Sequence, residues 1–449
     1  MSFDDSVIYS TQYLPNDWGN IELGEIADVL SGFAFKSNYF VDQGIPVIKI
    51  KNIEPPYVTL DDVQYVSKEI AEQQKKYLLK YNDILISLTG SNITQLASVV
   101  GKVGRVRIKN QPMLLNQRVG KVYVTDPEKY DEQFLYYVIS RNEVKYQLAS
   151  MAGGSANQAN ISPKQIKQLQ IPFPPLIEQK TIAQLLAALD DKIELNNVIN
   201  KNLEEIGQAL FKRWFVDFEF PNENGEPYKS SGGEFEESEL GLIPKGWRVQ
   251  SLQRICEFRK GFSYKGKYLS EFGTPMINLG NVSPDGSFKF DSVKYYSDNS
   301  FKEHHTVKPG DIVIANTDIT QKRDVIGTPV IVPNLNSEKI IISHHITALK
   351  NLKLPGLFVY HLLKTDSCKN RLKSFATGTT VLALPKDALP NFTFVCPNYE
   401  LIMNFNKIVT PIFQQIGDLN RESILLMKIR GTLLPKLMSG EIRVPIEQS

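Results

Sequence analysis

The chain of 449 residues has little of several features that define common protein classes. Its three cysteines, Cys256, Cys368 and Cys396, are widely spaced and form no CxxC pair. This spacing argues against a disulfide framework or a zinc site and fits a reducing cytoplasm. No run approaches the roughly 18 apolar residues of a membrane span, and the opening MSFDDSVIYS lacks the pattern of a signal peptide. We therefore expect a globular, cytoplasmic protein.

Sequence motifs for catalysis are also missing. There is no GxxxxGK[ST] phosphate loop, no GxGxxG and no GxSxG elbow. The five histidines all lie in the second half, as His304-His305, His344-His345 and His361. Adjacent histidines on a strand point to opposite faces, so neither pair is a natural chelate. The pattern predicts that the chain is not an enzyme by itself and holds no metal.

Two short stretches resemble catalytic motifs without satisfying them. The tetrapeptide EPPY at 54–57 is similar to the Asp/Asn-Pro-Pro-Tyr/Phe motif of amino-methyltransferases, but Glu54 replaces the Asp or amide and no Gly-rich cofactor loop precedes it. An extended turn with two prolines is the favoured interpretation. The E-x-K triplets at 143–145 and 178–180 have nuclease spacing but no preceding Pro-Asp pair.

Charge is unevenly distributed behind a net charge of +2. Residues 171–244 carry 6 Lys and Arg against 14 Asp and Glu, whereas residues 245–395 carry 21 against 12. A basic block of this length indicates a polyanionic partner. A solvated basic surface is the alternative.

The sequence contains an internal repeat that relates its two halves. Aligning Trp18 with Trp247 gives eleven identities in 35 positions without a gap, ending at Asn52 and Asn281. After small gaps, YNDILISLTG (81–90) corresponds to PGDIVIANTD (309–318), and both halves reach a loop of small residues followed by a helical segment. The similarity indicates duplication of one domain.

Each half ends in a long helix with a narrow apolar stripe. Ile182, Leu189, Asn196, Leu203 and Leu210 recur every seven residues, and a shift of 223 places them on Phe405, Ile412, Leu419, Leu426 and Leu433. The stripe also takes in Leu185, Ile193 and Ile206. A seven-residue repeat is typical of a coiled-coil seam, so we expect the two helices to pair. Two unrelated core helices are the alternative. Asn196 in the seam would cost stability but fix the register.

These patterns predict five regions: a first domain at 1–171, a first long helix at 172–220, an acidic linker at 221–243, a second domain at 244–396, and a second long helix with the C-terminal tail at 397–449. The linker is rich in Gly, Ser, Pro and Glu and has almost no apolar periodicity. We expect it to be an exposed loop.

The helices and the repeated openings resemble one family. LLAALDDKIELNNVINKNLEEIGQALFKRWFVDF (185–218) is similar to the central helix of specificity subunits of Type I restriction–modification enzymes. LLPKLMSGEIRV (433–444) is similar to the C-terminal signature of that family, and the segments at 14–40 and 243–269 to the starts of its two target-recognition domains. The resemblance covers nearly the whole chain.

The resemblance implies an α+β fold with two similar α/β target-recognition domains, separated by two long helices that form an antiparallel coiled coil with pseudo-two-fold symmetry. Each domain would read one half of a bipartite, asymmetric DNA target. Two methyltransferase subunits and two restriction/translocase subunits are the implied partners. S-adenosylmethionine, ATP and Mg would be used by those partners and not by this chain.

DNA contacts are expected on polar loops at matching places in both halves, since Arg and Lys suit guanine or phosphate and Asn and Gln suit adenine. A solvated loop side chain is the alternative for each. The candidates are Lys36, Thr89, Ser91, Asn92, Arg105, Arg107, Ser155, Asn157 and Gln158 in the first half, and Lys265, Thr317, Thr320, Gln321, Lys322, Arg323, Thr377, Thr379 and Thr380 in the second.

Partner subunits are expected on the first helix. The candidates are Asp190, Asp191, Lys192, Glu194, Trp214 and Phe215. The corresponding part of the second helix reads Gln414-Gln415-Ile416-Gly417, so the two docking surfaces would not be equivalent. The aromatic run FKRWFVDF (211–218) is either core between helix and domain or part of this patch.

A non-catalytic DNA-specificity subunit is the leading hypothesis. The alternatives are a coiled-coil adaptor that binds proteins through its duplicated domains, and a methyltransferase with a diverged cofactor motif. Neighbouring genes for a methyltransferase and a helicase-like nuclease would separate them.

Overall fold

The computed structural model describes residues 14–91, 100–155, 158–319, 324–378 and 381–445, apart from the side chains of Ser155 and Asp291. The chain divides into two compact units. Unit 1 comprises Met1–Lys192 with Leu425–Ser449, and unit 2 comprises Ile193–Ile424. Each unit therefore takes one globular domain and one portion of each long helix, which differs from the division at the ends of the helices that the sequence suggests.

Unit 1 mixes short strands and helices. Its strands are β1 Gly19–Glu22, β2 Ala27–Ser31, β3 Phe40–Val41, β4 Ile45–Ile48, β5 Ile53–Glu54, β6 Tyr57–Val58, β7 Gln64–Val66, β8 Leu78–Leu79, β9 Ile84–Ser87, β10 Thr89–Gly90, β11 Val103–Arg105, β12 Met113–Leu115, β13 Val119–Val124, β14 Gly153–Ser155, β15 Gln158–Asn160 and β16 Gln170–Phe173. Its helices are α1 Lys68–Gln73, α2 Glu132–Ile139, α3 Asn142–Met151, α4 Pro163–Lys167, the start of α5 Leu176–Phe211 and the end of α8 Tyr399–Met438.

Two sheets form the body of unit 1, in the orders β2-β13-β9-β11-β6-β5 and β3-β7-β4-β12-β8. All pairings are antiparallel except β11 with β6 and β12 with β4. The central strand β9 is buried throughout, as its sequence ILIS predicts. Helix α2 begins where the Asp131 carboxylate accepts a hydrogen bond from the Phe134 N–H at 2.8 Å. Its last six residues are all buried.

Unit 2 has the same kinds of element. Its strands are β17 Phe235–Ser238, β18 Gly241–Pro244, β19 Arg248–Ser251, β20 Glu257–Lys260, β21 Leu269–Ser270, β22 Thr274–Ile277, β23 Lys294–Tyr296, β24 Thr306–Val307, β25 Ile312–Ala315, β26 Thr317–Asp318, β27 Pro329–Ile331, β28 Ile340–Ile342, β29 Ile346–Lys350, β30 Leu382–Ala383 and β31 Thr393–Cys396. Its helices are the end of α5, α6 Gly356–Lys364, α7 Asp366–Phe375 and the start of α8 Tyr399–Met438.

Strand register confirms the internal repeat. In unit 1, Ile84 of β9 pairs with Arg105 on one side and Val122 on the other. In unit 2, Ile312 of β25 pairs with Ile331 and Leu349 in the same way. The repeated Gly-Phe dipeptide has a structural cause as well. A Cβ on Gly32 would lie 2.3 Å from the Asn116 carbonyl oxygen, and the matching position Gly261 is equally tight, so neither tolerates a side chain.

The two long helices run antiparallel where they pair within unit 2. Asn196 of α5 is fully buried, and its Nδ2 donates to Glu422 Oε2 at 2.8 Å and to Ser423 Oγ at 3.2 Å. Four residues later, Asn200 Nδ2 donates to Asn420 Oδ1 at 2.8 Å. The predicted polar position in the seam is therefore confirmed, with partners on the other helix.

The apolar stripe is narrower than expected. Leu185 is 42% exposed and Ile206 is 55% exposed, whereas Ile193 is buried. The assignment of Leu185 and Ile206 to the packed stripe was wrong, because these two residues lie outside the seven-residue seam. Ile429, the counterpart of Ile206, is also exposed.

The acidic segment 221–243 is not a simple loop. Helix α5 continues into a π-helical turn at Lys212–Val216, and a β-hairpin follows in which β17 pairs with β18. Phe220 stacks between Tyr228 and Trp247, with ring centroids 4.5 and 5.1 Å away. The composition of the segment does not predict this hairpin, because its packing depends on a few aromatic side chains in an otherwise polar sequence.

None of the described helices is long and apolar enough to span a membrane. The three cysteines are buried as free thiols.

Candidate nucleic-acid interface

In unit 1 the fold brings several predicted loops together. Strand β10, which begins with Thr89, pairs with β15, which begins with Gln158. The Thr89 hydroxyl donates to Asn160 Oδ1 at 2.9 Å across this pair. Gln158 is exposed, whereas Ser91 is buried. Thr89 and the small-residue hairpin of β14 and β15 thus form one polar surface.

Unit 2 repeats the arrangement with different residues. Thr317 of β26 pairs with Ala383 of β30, and Thr377 bridges to the same alanine. Thr377 is exposed, but Thr317 is 8% exposed, and its hydroxyl lies 2.8 Å from His345 Nδ1. The polar surface beside β26 is therefore formed by the partly exposed His345 ring together with Thr317.

Lys36 and Lys265 occupy the same place in the two units. Each is exposed and caps a one-turn 3-10 helix that follows the Gly-Phe dipeptide. The matched positions agree with the sequence alignment, and their contact with DNA stays a prediction.

Eight further candidates lie outside the described residues: Asn92, Asn157, Thr320, Gln321, Lys322, Arg323, Thr379 and Thr380. The side chain of Ser155 is also outside them.

Arg105 is a correction. Its side chain is 1% exposed, its guanidinium lies 4.5 Å from the Tyr136 ring centroid, and one of its nitrogens is 3.6 Å from Asp190 Oδ2. A buried guanidinium paired in this way is part of the core and is not presented to DNA. Arg107 is nearly buried, pairs with Asp191 and donates to Asn82 Oδ1 at 3.0 Å, so it too is engaged within unit 1.

The predicted partner-binding residues are corrected in a similar way. Asp190 is 2% exposed and is held by Arg430 and Tyr137. Trp214 and Phe215 are buried in the core of unit 2 beside Phe405. The aromatic side chains at the end of α5 pack against the domain, which is the first of the two interpretations that the sequence offers for the run at 211–218. Asp191 is exposed. Lys192 and Glu194 are partly exposed, and each has a partner.

Two surface turns escaped the sequence analysis. The turn between β12 and β13 presents Gln117-Arg118, and the turn between β28 and β29 presents His344-His345. Extending the alignment of the repeats to LLNQRVG and IISHHIT would have revealed both. Adjacent histidines make a poor chelate, but each ring still offers a hydrogen-bond donor and an acceptor.

Basic side chains lie around both turns. Partial burial, and then the neighbouring Lys51 and Arg118, lower the pKa of Lys49. Partial burial, followed by His344 and Lys260, lowers the pKa of His345, and His344 is shifted the same way by burial and Lys260. Lys49 and Arg118 therefore place positive charge at this edge of unit 1, which favours an anionic ligand. In unit 2, Lys260 lies beside two histidines whose lowered pKa values favour the uncharged rings.

The described residues include no cluster of three or more His, Cys, Asp or Glu side chains able to hold a metal ion.

Comparisons with known proteins agree with this architecture. Residues 15–205 match the family model described as the Type I restriction modification DNA specificity domain. The chain is 25% identical over 442 residues to the specificity subunit of the Type I restriction enzyme MjaIX from Methanocaldococcus jannaschii, covering 96% of this chain and 95% of that protein. It is 24% identical over 476 residues to the HindI specificity subunit from Haemophilus influenzae, covering 95% of this chain and all of the relative.

A solved structure shares the fold. The S subunit of a Type I restriction-modification system from M. genitalium superimposes with a TM-score of 0.52 at 18% identity, covering 94% of this chain and 97% of that one.

Proposed function

We propose that this chain, whose residues 15–205 match the Type I restriction modification DNA specificity domain and which is similar over nearly its whole length to specificity subunits, is itself such a subunit and recognises a bipartite, asymmetric DNA sequence. It also positions methyltransferase and translocase/nuclease subunits on that sequence. The coarser assignment, a non-catalytic specificity subunit with DNA-recognition domains, follows from the family.

The observation that carries the bipartite target is the pair of equivalent surfaces. Both units hold the same turn and the same strand pair, with Gln117-Arg118 beside Thr89 in one and His344-His345 beside Thr317 in the other. Identical backbone positions with different side chains suit the reading of two different half-sites. A protein with two similar binding surfaces matches the near two-fold symmetry of a duplex.

Partner docking is supported by exposed apolar side chains on the helices. Leu195, Val198 and Ile206 of α5 are each more than half exposed. They follow one helical face and replace the buried Trp214 and Phe215 as our candidates for a partner surface. Leu425 of α8 is also exposed, whereas its counterpart on α5 is Asn202. The two docking surfaces therefore differ, and we assign two methyltransferase and two translocase subunits to them.

Chemistry belongs to the partners in this proposal. The partner subunits would use S-adenosylmethionine, ATP and Mg, and would extrude the target adenine from the duplex. This chain contributes position and sequence choice.

Methylome sequencing of a host with and without the gene tests the proposal. We expect methylated adenines in a two-part asymmetric motif with an unread gap, present only when the gene is intact. Methylation that is unchanged by deletion, in a host with the partner genes expressed, would contradict it. Purified chain alone should transfer no methyl group to DNA.

A further inference from the structure

The two turns missed by the sequence analysis are held in identical backbone positions. The Gln117 N–H donates to the Phe33 carbonyl at 3.0 Å, and the His344 N–H donates to the Phe262 carbonyl at 2.9 Å. On the other side, the carbonyls of Arg118 and His345 accept from Leu88 and Asn316, both at 2.9 Å. Each turn is therefore fixed between the Gly-Phe dipeptide and the strand that leads into β10 or β26.

The side chains on these turns differ in character. Arg118 is exposed, and its guanidinium makes no ion pair with the described residues. It lies near Lys49, which adds a second positive charge to this edge of unit 1, whereas the neighbouring Lys51 is paired with Asp62. His345 is partly buried against the Thr317 hydroxyl and against the His344 ring, whose centroid is 3.8 Å away.

We propose that these turns are direct DNA contacts with different roles: Arg118 binds a backbone phosphate in the half-site of unit 1, and His345 hydrogen-bonds a base edge in the half-site of unit 2. This inference rests on the proposed function. It adds the residues and the division of roles between them.

The physical reason for the division is charge. An arginine side chain is always protonated and suits phosphate oxygens. The groups that face His345 are Lys260, the His344 ring and the uncharged Thr317, and burial together with the first two lowers the pKa of the imidazole. At neutral pH the ring is uncharged, with one donor nitrogen and one acceptor nitrogen. Such a ring can discriminate bases but neutralises no phosphate.

The first test is the salt dependence of binding by the full-length chain to a labelled duplex of mixed sequence. Each phosphate contact contributes about 0.9 to the slope of log affinity against log salt concentration. Arg118→Ala should lower the slope by about that amount and weaken binding to all duplexes alike, while Arg118→Lys keeps the slope. His345→Ala should leave the slope unchanged at pH 8.

Lys129→Ala is the matched control for Arg118. Lys129 is exposed and lies beyond the far end of β13 from the turn. Its replacement removes the same charge and should leave the slope unchanged. An Arg118→Ala slope equal to that of the wild type would overturn the phosphate contact.

The second test is selection of bound sequences from a pool of random duplexes. The wild type should enrich a two-part motif, and Arg118→Ala should enrich the same motif with about tenfold weaker binding. His345→Ala should lose preference at one or more positions of one half only. An unchanged motif for His345→Ala would overturn the base contact. A wild-type chain that enriches no motif would instead refute the proposed function, which separates the two failures.

Discussion

At matching positions of the junction between the domain and the long helices, unit 1 has charged side chains and unit 2 has uncharged ones, although unit 2 also pairs Lys364 of α6 with Glu204 of α5 at 2.6 Å. In unit 1, Asp190 of α5 is buried and accepts from the Tyr137 hydroxyl at 2.7 Å and from Arg430 of α8 at 2.6 Å. Arg105 of β11 completes the group at 3.6 Å. The junction is a buried network of charges that ties a strand and three helices together.

Unit 2 replaces every member of that network by a neutral residue. The shift of 223 that relates the helices puts Phe413 at the position of Asp190 and Gly207 at that of Arg430. Strand register puts Ile331 at the position of Arg105, and His361 of α6 occupies the position of Tyr137. The His361 ring is buried, with its centroid 5.3 Å from that of Phe413.

The same substitution of charge by aromatic packing recurs at the two tryptophans. Trp18 Nε1 donates to the buried Glu178 carboxylate at 2.9 Å, and Arg443 binds that carboxylate at 2.6 Å. The corresponding residues around Trp247 are Leu401 and Phe220. The same backbone fold therefore accommodates either buried ion pairs or aromatic packing at these positions. The interacting residues must change together, because a buried charge without its partner is strongly destabilising.

The loss of two arginines also leaves space in unit 2. Ile331 and Pro333 stand at the positions of Arg105 and Arg107, and they line a largely apolar cavity of about 540 Å³. Phe413 and Tyr360 form part of its wall.

The largest expected loss of stability comes from a substitution that breaks the charged junction of unit 1. Asp190→Asn keeps the shape but leaves Arg105 buried without a counter-ion, which should destabilise unit 1 by about 3–5 kcal/mol. Hydrogen exchange of peptides covering α2 measures this loss, with α6 of unit 2 as an internal reference. A change below about 0.5 kcal/mol would show that the ion pairs are dispensable.

The triple variant Arg105→Ile, Asp190→Phe and Arg430→Gly sharpens that test, because it imports the residues of unit 2 and leaves no charge of the network without its partner. Replacement of a buried ion pair by apolar groups is often neutral. The triple variant should therefore recover more than half of the stability lost in Asp190→Asn. If this variant is less stable than Asp190→Asn, the ion pairs of unit 1 cannot be exchanged for the apolar residues of unit 2.

The next effect concerns Gly207, the counterpart of Arg430. A Cβ at this position would lie 2.9 Å from His361 Cε1. That ring is packed against Phe211, Phe405 and Phe413 and has no room to move. Gly207→Ala should therefore cost about 1–3 kcal/mol through overpacking.

Gly431 of α8 is the matched control for this substitution. A Cβ there meets nothing within 4 Å, and Gly431→Ala should stabilise by about 0.5–1 kcal/mol through helix propensity. Urea unfolding of the two variants gives the comparison. Equal effects of the same sign would contradict the tight packing at His361.

The smallest expected effect is a dependence of stability on pH that arises from His361 in unit 2. Burial lowers the pKa of His361 to about 3, with a smaller contribution from Lys364. An unfolded histidine titrates near 6.5, so as pH falls the unfolded chain takes up the proton first and the folded state loses stability. His361 should account for about 1.4 kcal/mol lost between pH 7.5 and 5.5.

Denaturant unfolding at both pH values measures this loss. His361→Gln should show a correspondingly flatter dependence, while His304→Gln, which changes an exposed histidine, should retain the wild-type slope. Parallel slopes for all three proteins would mean that His361 takes up its proton in the folded state.

The repeat, the long helices and the buried Asn196 were all predictable from the sequence, because identities at a fixed shift and a seven-residue period are local patterns. Arg105 was not, because the burial of a cation depends on Asp190, 85 positions away in the sequence. The hairpin of β17 and β18 lacks apolar alternation, so its polar sequence predicts a loop. Of the candidate interface, the matched positions of Lys36 and Lys265 came from alignment. The turns at Arg118 and His345 could have been found by extending that alignment, whereas their equivalent backbone hydrogen bonds are visible only in the structure.

The central claim is that each unit reads its own half of the target. Exchange of residues 245–395 for the equivalent region of a relative, followed by methylation mapping in a host that carries the partner genes, tests it most directly. We expect one half of the motif to become that of the relative while the other half and its methylated adenine stay as in the wild type. A change of both halves, or of neither, would contradict the claim.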